Sequence, residues 1–98
     1  MPIENPYLWP DTATVNERGH LSIGGCDALE LAESYGTPLY VLDEATFRAQ
    51  CRLYRAALAR HYPGPGSVHY AGKALLNTAV AQLAAGEGLG LDVVSGGE

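Results

Sequence analysis

Between Ser67 and Val94 the sequence reads strand, helix, strand, and that order leaves few folds open. Ser67 to Gly72 is a short apolar run. Asn77 to Ala85 has helical character, with Asn77 as a cap and Gly86 and Gly88 past its end. Leu89 to Val94 is a second apolar run, and Ser95-Gly96-Gly97 opens a turn. Two strands joined by a helix pair in parallel through a right-handed crossover. Strands that are apolar almost throughout suit a sheet covered on both faces. The chain has 98 residues, too few for the ~250 of a closed parallel barrel. Two parallel strands alone leave long unpaired edges. The sequence is therefore expected to be the amino-terminal piece of an α/β protein several times longer.

The residues before this unit punctuate themselves. Pro2, Pro6 and Pro10 mark an extended arm, whose Tyr7, Leu8 and Trp9 need a surface to pack on. Thr12 to Val15 and His20 to Ile23 alternate, and Asn16-Glu17-Arg18-Gly19 between them has turn chemistry, so a hairpin is expected with Ala13, Val15, Leu21 and Ile23 on one face. Asp27 reads as a helix N-cap, with Glu30 placed to reach back as in a capping box. Gly36 ends that helix and Pro38 blocks its continuation. Leu39 to Leu42 reads as a short strand, and Asp43 as a second N-cap. A long helix is expected over Glu44 to His61, because Phe47, Cys51, Tyr54 and Leu58 recur on one face. Arg48, Arg52, Arg55 and Arg60 fall in other sectors and are expected in water. Cys51 lies in the apolar stripe and reads as a buried structural thiol. Cys26, beside Gly24 and Gly25, is also read as inert. Pro63-Gly64-Pro65-Gly66 is a loop.

Composition removes several function classes. Six Lys and Arg stand against eleven Asp and Glu, a net charge of −5, so no basic stripe is present to neutralise nucleic-acid phosphates. No apolar run approaches the ~20 residues of a membrane span. The first residues lack the basic and apolar regions of a signal peptide. Two separated cysteines form neither a Cys-x-x-Cys nor a metal spacing. The expectation is a reduced, cytoplasmic protein without a metal.

Lys73 is the one lysine, and it sits among Tyr70-Ala71-Gly72 and Ala74-Leu75-Leu76 rather than on a charged helix face. Catalytic groups of parallel α/β folds collect at the C-terminal ends of strands, where Lys73 is expected. Alternation puts His69, Ala71 and Lys73 on one face and Tyr70 on the other, packing against helices. On the next strand Asp92, costly to bury unpaired among Leu89, Leu91, Val93 and Val94, is a natural partner for the lysine. By spacing alone, a structural Lys–Asp pair or an exposed strand-end lysine is as good a reading as a catalytic one. His69 alone more often means a hydrogen-bonded core histidine. Gly86-x-Gly88-x-Gly90 precedes a strand and lacks the dinucleotide-binding spacing. Ser95-Gly96-Gly97 follows a strand, where backbone N–H groups can receive an anion, but a tight turn explains it equally. A lysine in an apolar pocket has its pKa lowered from ~10.4, and a neutral amine is what a Schiff-base nucleophile must be. Pyridoxal 5′-phosphate is the cofactor that most often uses one.

Tyr70-Ala71-Gly72-Lys73-Ala74 resembles the cofactor-lysine motif of the fold-type III, alanine-racemase-like pyridoxal-phosphate decarboxylases. Within them, three stretches resemble the diaminopimelate decarboxylase family: His20-Leu21-Ser22-Ile23-Gly24-Gly25 with Asp27, Glu30 to Val41, and Gly88 to Glu98. The resemblance runs from about His20 to the end. Leu75 departs from the Asn that many relatives carry after Lys-Ala. The resemblance implies the amino-terminal part of a (β/α)8 pyridoxal-phosphate-binding barrel, preceded by a hairpin and helix segment that belongs with a separate β domain. Residues 1–43 would be that segment, and residues 44–98 would start the barrel with its first two strands. It further implies decarboxylation of meso-diaminopimelate to L-lysine and CO₂ by a homodimer, with Lys73 carrying the cofactor; Asp92 and His69, which alternation puts on the same interior face, are expected beside it. The phosphate loop, the acidic partner of the pyridine nitrogen and the catalytic cysteine would lie beyond Glu98. The alternatives are a sister decarboxylase of ornithine, arginine or a carboxylated polyamine, and a pyridoxal-phosphate homeostasis protein without turnover. The hairpin before the barrel argues against the last.

Overall fold

The computed structural model describes residues 3–93 and Gly96. The chain is mixed α/β and divides into two compact units, residues 1–46 and 47–98.

The first unit is built on a three-stranded antiparallel sheet of β1 (Thr14–Val15), β2 (Leu21–Ile23) and β3 (Cys26–Asp27). Val15 lies opposite Leu21 and Thr14 opposite Ser22, which is the expected hairpin. Its turn is closed by Asn16, whose Oδ1 accepts from the backbone N–H of Arg18 and of His20, each at 3.0 Å. Gly19 supplies the positive φ the turn requires. A second hairpin follows at once. Gly24 and Gly25 both have positive φ, the conformation in which a two-residue turn matches the twist of its strands. Ile23 thereby meets Cys26, and the sheet gains a strand that the sequence reading did not include.

Helix α1 (Ala28–Tyr35) starts at Asp27, whose Oδ1 accepts from Leu29 N–H at 2.8 Å and Glu30 N–H at 3.3 Å. It ends at Gly36, with φ +82°. The Glu30 carboxylate does not complete a capping box. It meets Arg18 Nη1 at 2.8 Å instead, because the hairpin turn brings that guanidinium within reach. Two further expectations fail here. Pro6–Leu8 form a single 3-10 turn rather than an extended arm. Leu39 to Leu42 form no ladder among the described residues, and Tyr40 is 99% exposed. Apolar, β-favouring residues make a strand only where a neighbour accepts their N–H and C=O groups.

Helix α2 (Glu44–His61) covers the expected span. Asp43 caps it, accepting from the Thr46 N–H at 3.3 Å and from the Thr46 hydroxyl. In the second unit, β4 (His69–Ala71), α3 (Thr78–Gly86) and β5 (Gly90–Asp92) form the strand–helix–strand run, with β4 and β5 parallel. Asn77 Oδ1 caps α3 through the Val80 N–H at 2.9 Å. Cys51 of α2 and Val80 and Ala84 of α3 are the buried apolar side chains among the described residues. Tyr70 packs its ring on Phe47 of α2, with centroids 5.4 Å apart. Leu91 shares a hollow with Leu76, Ala81 and Ala85. The Tyr70 and Leu91 face of the sheet therefore carries the helices.

The arginines of α2 lie largely in water as expected, Arg52 and Arg55 exposed and Arg48 half-buried, and three of them also share a partner. Arg48, Arg52 and Arg55, at intervals of four and three, form a stripe of their own on the helix. All three converge on Glu87 just past α3, which is 8% exposed. Arg52 binds the carboxylate through two nitrogens, at 2.9 and 2.8 Å, and Arg48 Nη1 adds a third bond at 2.9 Å. Arg55 Nη1 reaches the Glu87 carbonyl at 3.1 Å. Gly88, with φ +82°, leaves room for this, since a Cβ there would stand 3.0 Å from the Arg55 guanidinium. Arg60 is exposed as expected.

Candidate cofactor-anchoring site

Register decides what shares a face with the lysine's strand. His69 lies opposite Gly90, Tyr70 opposite Leu91 and Ala71 opposite Asp92. Since Tyr70 and Leu91 face the helices, His69, Ala71, Gly90 and Asp92 line the other side of the sheet. That face is shallow, because two of its four residues are Ala and Gly.

Lys73 itself lies beyond the strand. The pairing continues one step past Ala71, with Gly72 N–H donating to Asp92 C=O at 2.9 Å. The chain then turns, and Ala74 N–H closes on Ala71 C=O at 3.1 Å. Lys73 occupies this turn at the C-terminal end of β4 and is exposed, while Gly72 beneath it is buried. Strand alternation therefore stops short of Lys73. The apolar pocket expected around it is not formed by the described residues.

The two companions of Lys73 differ from expectation in burial. Asp92 is exposed, so the cost of hiding a carboxylate does not press it onto a cation, and no Lys73–Asp92 ion pair forms among the described residues. The strands are adjacent as expected, and Asp92 shares its face with His69. His69 is exposed rather than a core residue, with Nε2 2.9 Å from Ser67 Oγ. The turn expected at Ser95-Gly96-Gly97, and the strand end at Val94, fall outside the described residues apart from Gly96.

The other polar centres are structural. Asp27 is 8% exposed. Its Oδ2 takes a bond from Asn16 Nδ2 at 2.9 Å, contacts His20 Nδ1 at 2.8 Å and pairs with Arg18 Nη2 at 3.3 Å. Burial pushes its carboxyl pKa up, and the bonds from Asn16, His20 and the helix N–H groups outweigh that and hold it well below the usual carboxylate range. Glu87 is lowered by Arg52 and then Arg48. Burial raises the Cys51 thiol, the direction expected of an inert thiol. The sequence reading missed Asp27 and Glu87 as hubs. The four-and-three spacing of Arg48, Arg52 and Arg55 was the available signal for the second.

A pyridoxal group requires an accessible primary amine beside a face that protein does not already fill. Lys73 offers the amine in an exposed turn. On the adjoining face His69 and Asp92 are exposed and Ala71 and Gly90 only half-buried. These residues fit the group.

Residues 44–98 match the family model described as the pyridoxal binding domain of pyridoxal-dependent decarboxylases. The chain is 52% identical over 97 residues, 99% of its length, to a protein named diaminopimelate decarboxylase from Synechocystis sp.. Proteins of the same name from Bacillus subtilis and Methanothermobacter thermautotrophicus are 52% and 50% identical over 89% and 93% of the chain. In each case the chain spans about a fifth of the relative's length, 20 to 21%.

Proposed function

The chain belongs to the pyridoxal-dependent decarboxylases through their pyridoxal-binding domain, and from that premise we propose that the full-length protein removes one carboxylate of meso-diaminopimelate, giving L-lysine and CO₂. One observation carries this reading. The identity to diaminopimelate decarboxylases is about one half and extends across residues 1–43, outside the pyridoxal-binding match. A bare pyridoxal-binding barrel would have no counterpart for the hairpins and α1.

In this reading residues 44–98 begin a (β/α)8 barrel, β4 and β5 are its first two strands, and residues 1–43 belong with a separate β domain. Lys73 Nζ holds the cofactor. Asp92 and His69, on the adjoining face, help orient it. Pyridoxal phosphate, when bound, supplies the electron sink that lets carbon dioxide leave the substrate α-carbon. The Gly72 N–H to Asp92 C=O bond anchors the backbone just before Lys73 at the C-terminal end of the parallel pair. The enzyme is proposed to work as a cytoplasmic homodimer on a small amino acid, with no nucleic acid and no membrane partner.

The test uses the full-length protein. The wild type is expected to retain pyridoxal phosphate covalently after borohydride reduction and to release CO₂ from diaminopimelate in preference to ornithine or arginine. Lys73→Ala is expected to lose both the trapped cofactor and turnover. Activity retained in Lys73→Ala would remove Lys73 from this role. A preference for ornithine or arginine would replace the substrate and leave the family untouched.

A further inference from the structure

We infer that Tyr70 is a positioning residue for Lys73: its hydroxyl, donated to the Leu75 carbonyl, holds the downstream half of the turn in which the lysine stands. This rests on the reading of Lys73 as the cofactor carrier.

The turn lies between two regular elements and belongs to neither. The β4–β5 pairing ends with Gly72 N–H on Asp92 C=O at 2.9 Å, and α3 takes up its helical bonding with Ala81 N–H on Asn77 C=O at 3.0 Å. Lys73, Ala74, Leu75 and Leu76 fall between. Upstream of the lysine the sheet holds Gly72, and Ala74 N–H closes on Ala71 C=O at 3.1 Å. Downstream, Tyr70 Oη donates to Leu75 C=O at 2.6 Å. Tyr70 precedes the lysine and Leu75 follows it, so this bond closes a ring of chain around Lys73. The amine-bearing residue stands between two anchored points.

Tyr70 is itself held. It is the middle residue of β4, opposite Leu91. Its half-buried side chain packs on Phe47, tilted by 60° with ring centroids 5.4 Å apart. It lies on the helix side of the sheet and acts on Lys73 through the backbone. A phenylalanine at this position keeps the ring contact and loses the bond to Leu75. One neutral hydrogen bond shifts a local equilibrium by about threefold to tenfold. Without it the turn samples other arrangements, and cofactor affinity falls with the fraction of molecules that hold the amine in place.

The experiment compares full-length wild type, Tyr70→Phe and Glu87→Ala, the last a change at the opposite end of α3 from the turn. Pyridoxal phosphate affinity is measured by titration of the apoprotein, together with the visible absorbance band of the bound cofactor, amide hydrogen exchange over residues 74–77 and the thermal midpoint. Tyr70→Phe is expected to bind the cofactor about threefold to tenfold more weakly, to shift the band, and to exchange the turn amides faster by a similar factor, with a midpoint close to wild type. Glu87→Ala is expected to do the reverse, lowering the midpoint and leaving affinity and band unchanged. Wild-type affinity in Tyr70→Phe overturns the inference. So does a loss of affinity without faster exchange in the turn. An equal loss in Glu87→Ala also overturns it, since general destabilisation would then be the cause. Failure of the carrier reading is seen separately, as borohydride-trapped cofactor surviving in Lys73→Ala.

Discussion

Asp27 does more than cap a helix. Its carboxylate joins the turn between β1 and β2, through Asn16, Arg18 and His20, to the first turn of α1, through Leu29 and Glu30. Burial opposes its charge and the hydrogen bonds prevail. Asp43 is lowered chiefly by the Thr46 side chain, and Glu87 chiefly by Arg52. All three carboxyls have folded values below their unfolded ones, which lie near ~4. The stability they contribute is fully present above that value and is lost as pH falls through the depressed folded values. Thermal melts of the full-length protein are expected to show no loss from these groups between about pH 5 and 7, and a falling midpoint below about pH 4. Asp27→Asn is expected to lower the midpoint at neutral pH and to flatten part of the acid decline. An acid decline of unchanged size in Asp27→Asn would show that other groups govern it.

Elements are held by a few specific contacts. Val80 of α3 is 1% exposed, and shortening it leaves a void that its neighbours fill only in part. Val80→Ala is expected to cost about 2 kcal/mol in denaturant unfolding. The Glu87 clamp fixes the exit of α3 against α2. Glu87→Ala is expected to lower the melting midpoint, and adding Arg52→Ala to it is expected to change little, since the second partner has already lost its ion. Additive losses would mean that Arg52 acts elsewhere. The span of α2 and the capping of α1 and α3 were legible because each depends on local chemistry: the Phe47 to Leu58 stripe, Asp27 and Asn77. What was not legible depends on distant partners. Leu39 to Leu42 looks like a strand by composition and pairs with no neighbour among the described residues. The exposure of Arg52 and Arg55 was legible in the helical pattern, whereas the partner they share with Arg48 was not, because nothing local reveals Glu87, 35 residues from Arg52. The face shared by His69 and Asp92 followed from alternation, whereas the turn that carries Lys73 out of the strand did not.

At the scale of the whole molecule, large apolar side chains remain in water. Tyr40 is 99% exposed, Tyr35 74% and Tyr54 63%. No described helix is long and apolar enough to cross a membrane. Such surface on a small chain favours association. Residues 1–98 produced alone are expected to elute as aggregates or large oligomers and to release no CO₂ from diaminopimelate. A monomeric fragment with activity would show that the rest of the relatives' length is dispensable. The two sheets also differ in how far along the chain their partners lie. Ile23 meets Cys26 across a two-residue turn, whereas His69 meets Gly90 only after all of α3 has intervened. Hairpins close in about 1–10 μs, and parallel pairing must first overcome the entropy of a longer loop. The molecule is therefore graded in time from its amino terminus, and the face that carries His69 and Asp92 is among the last parts of the chain to acquire its shape.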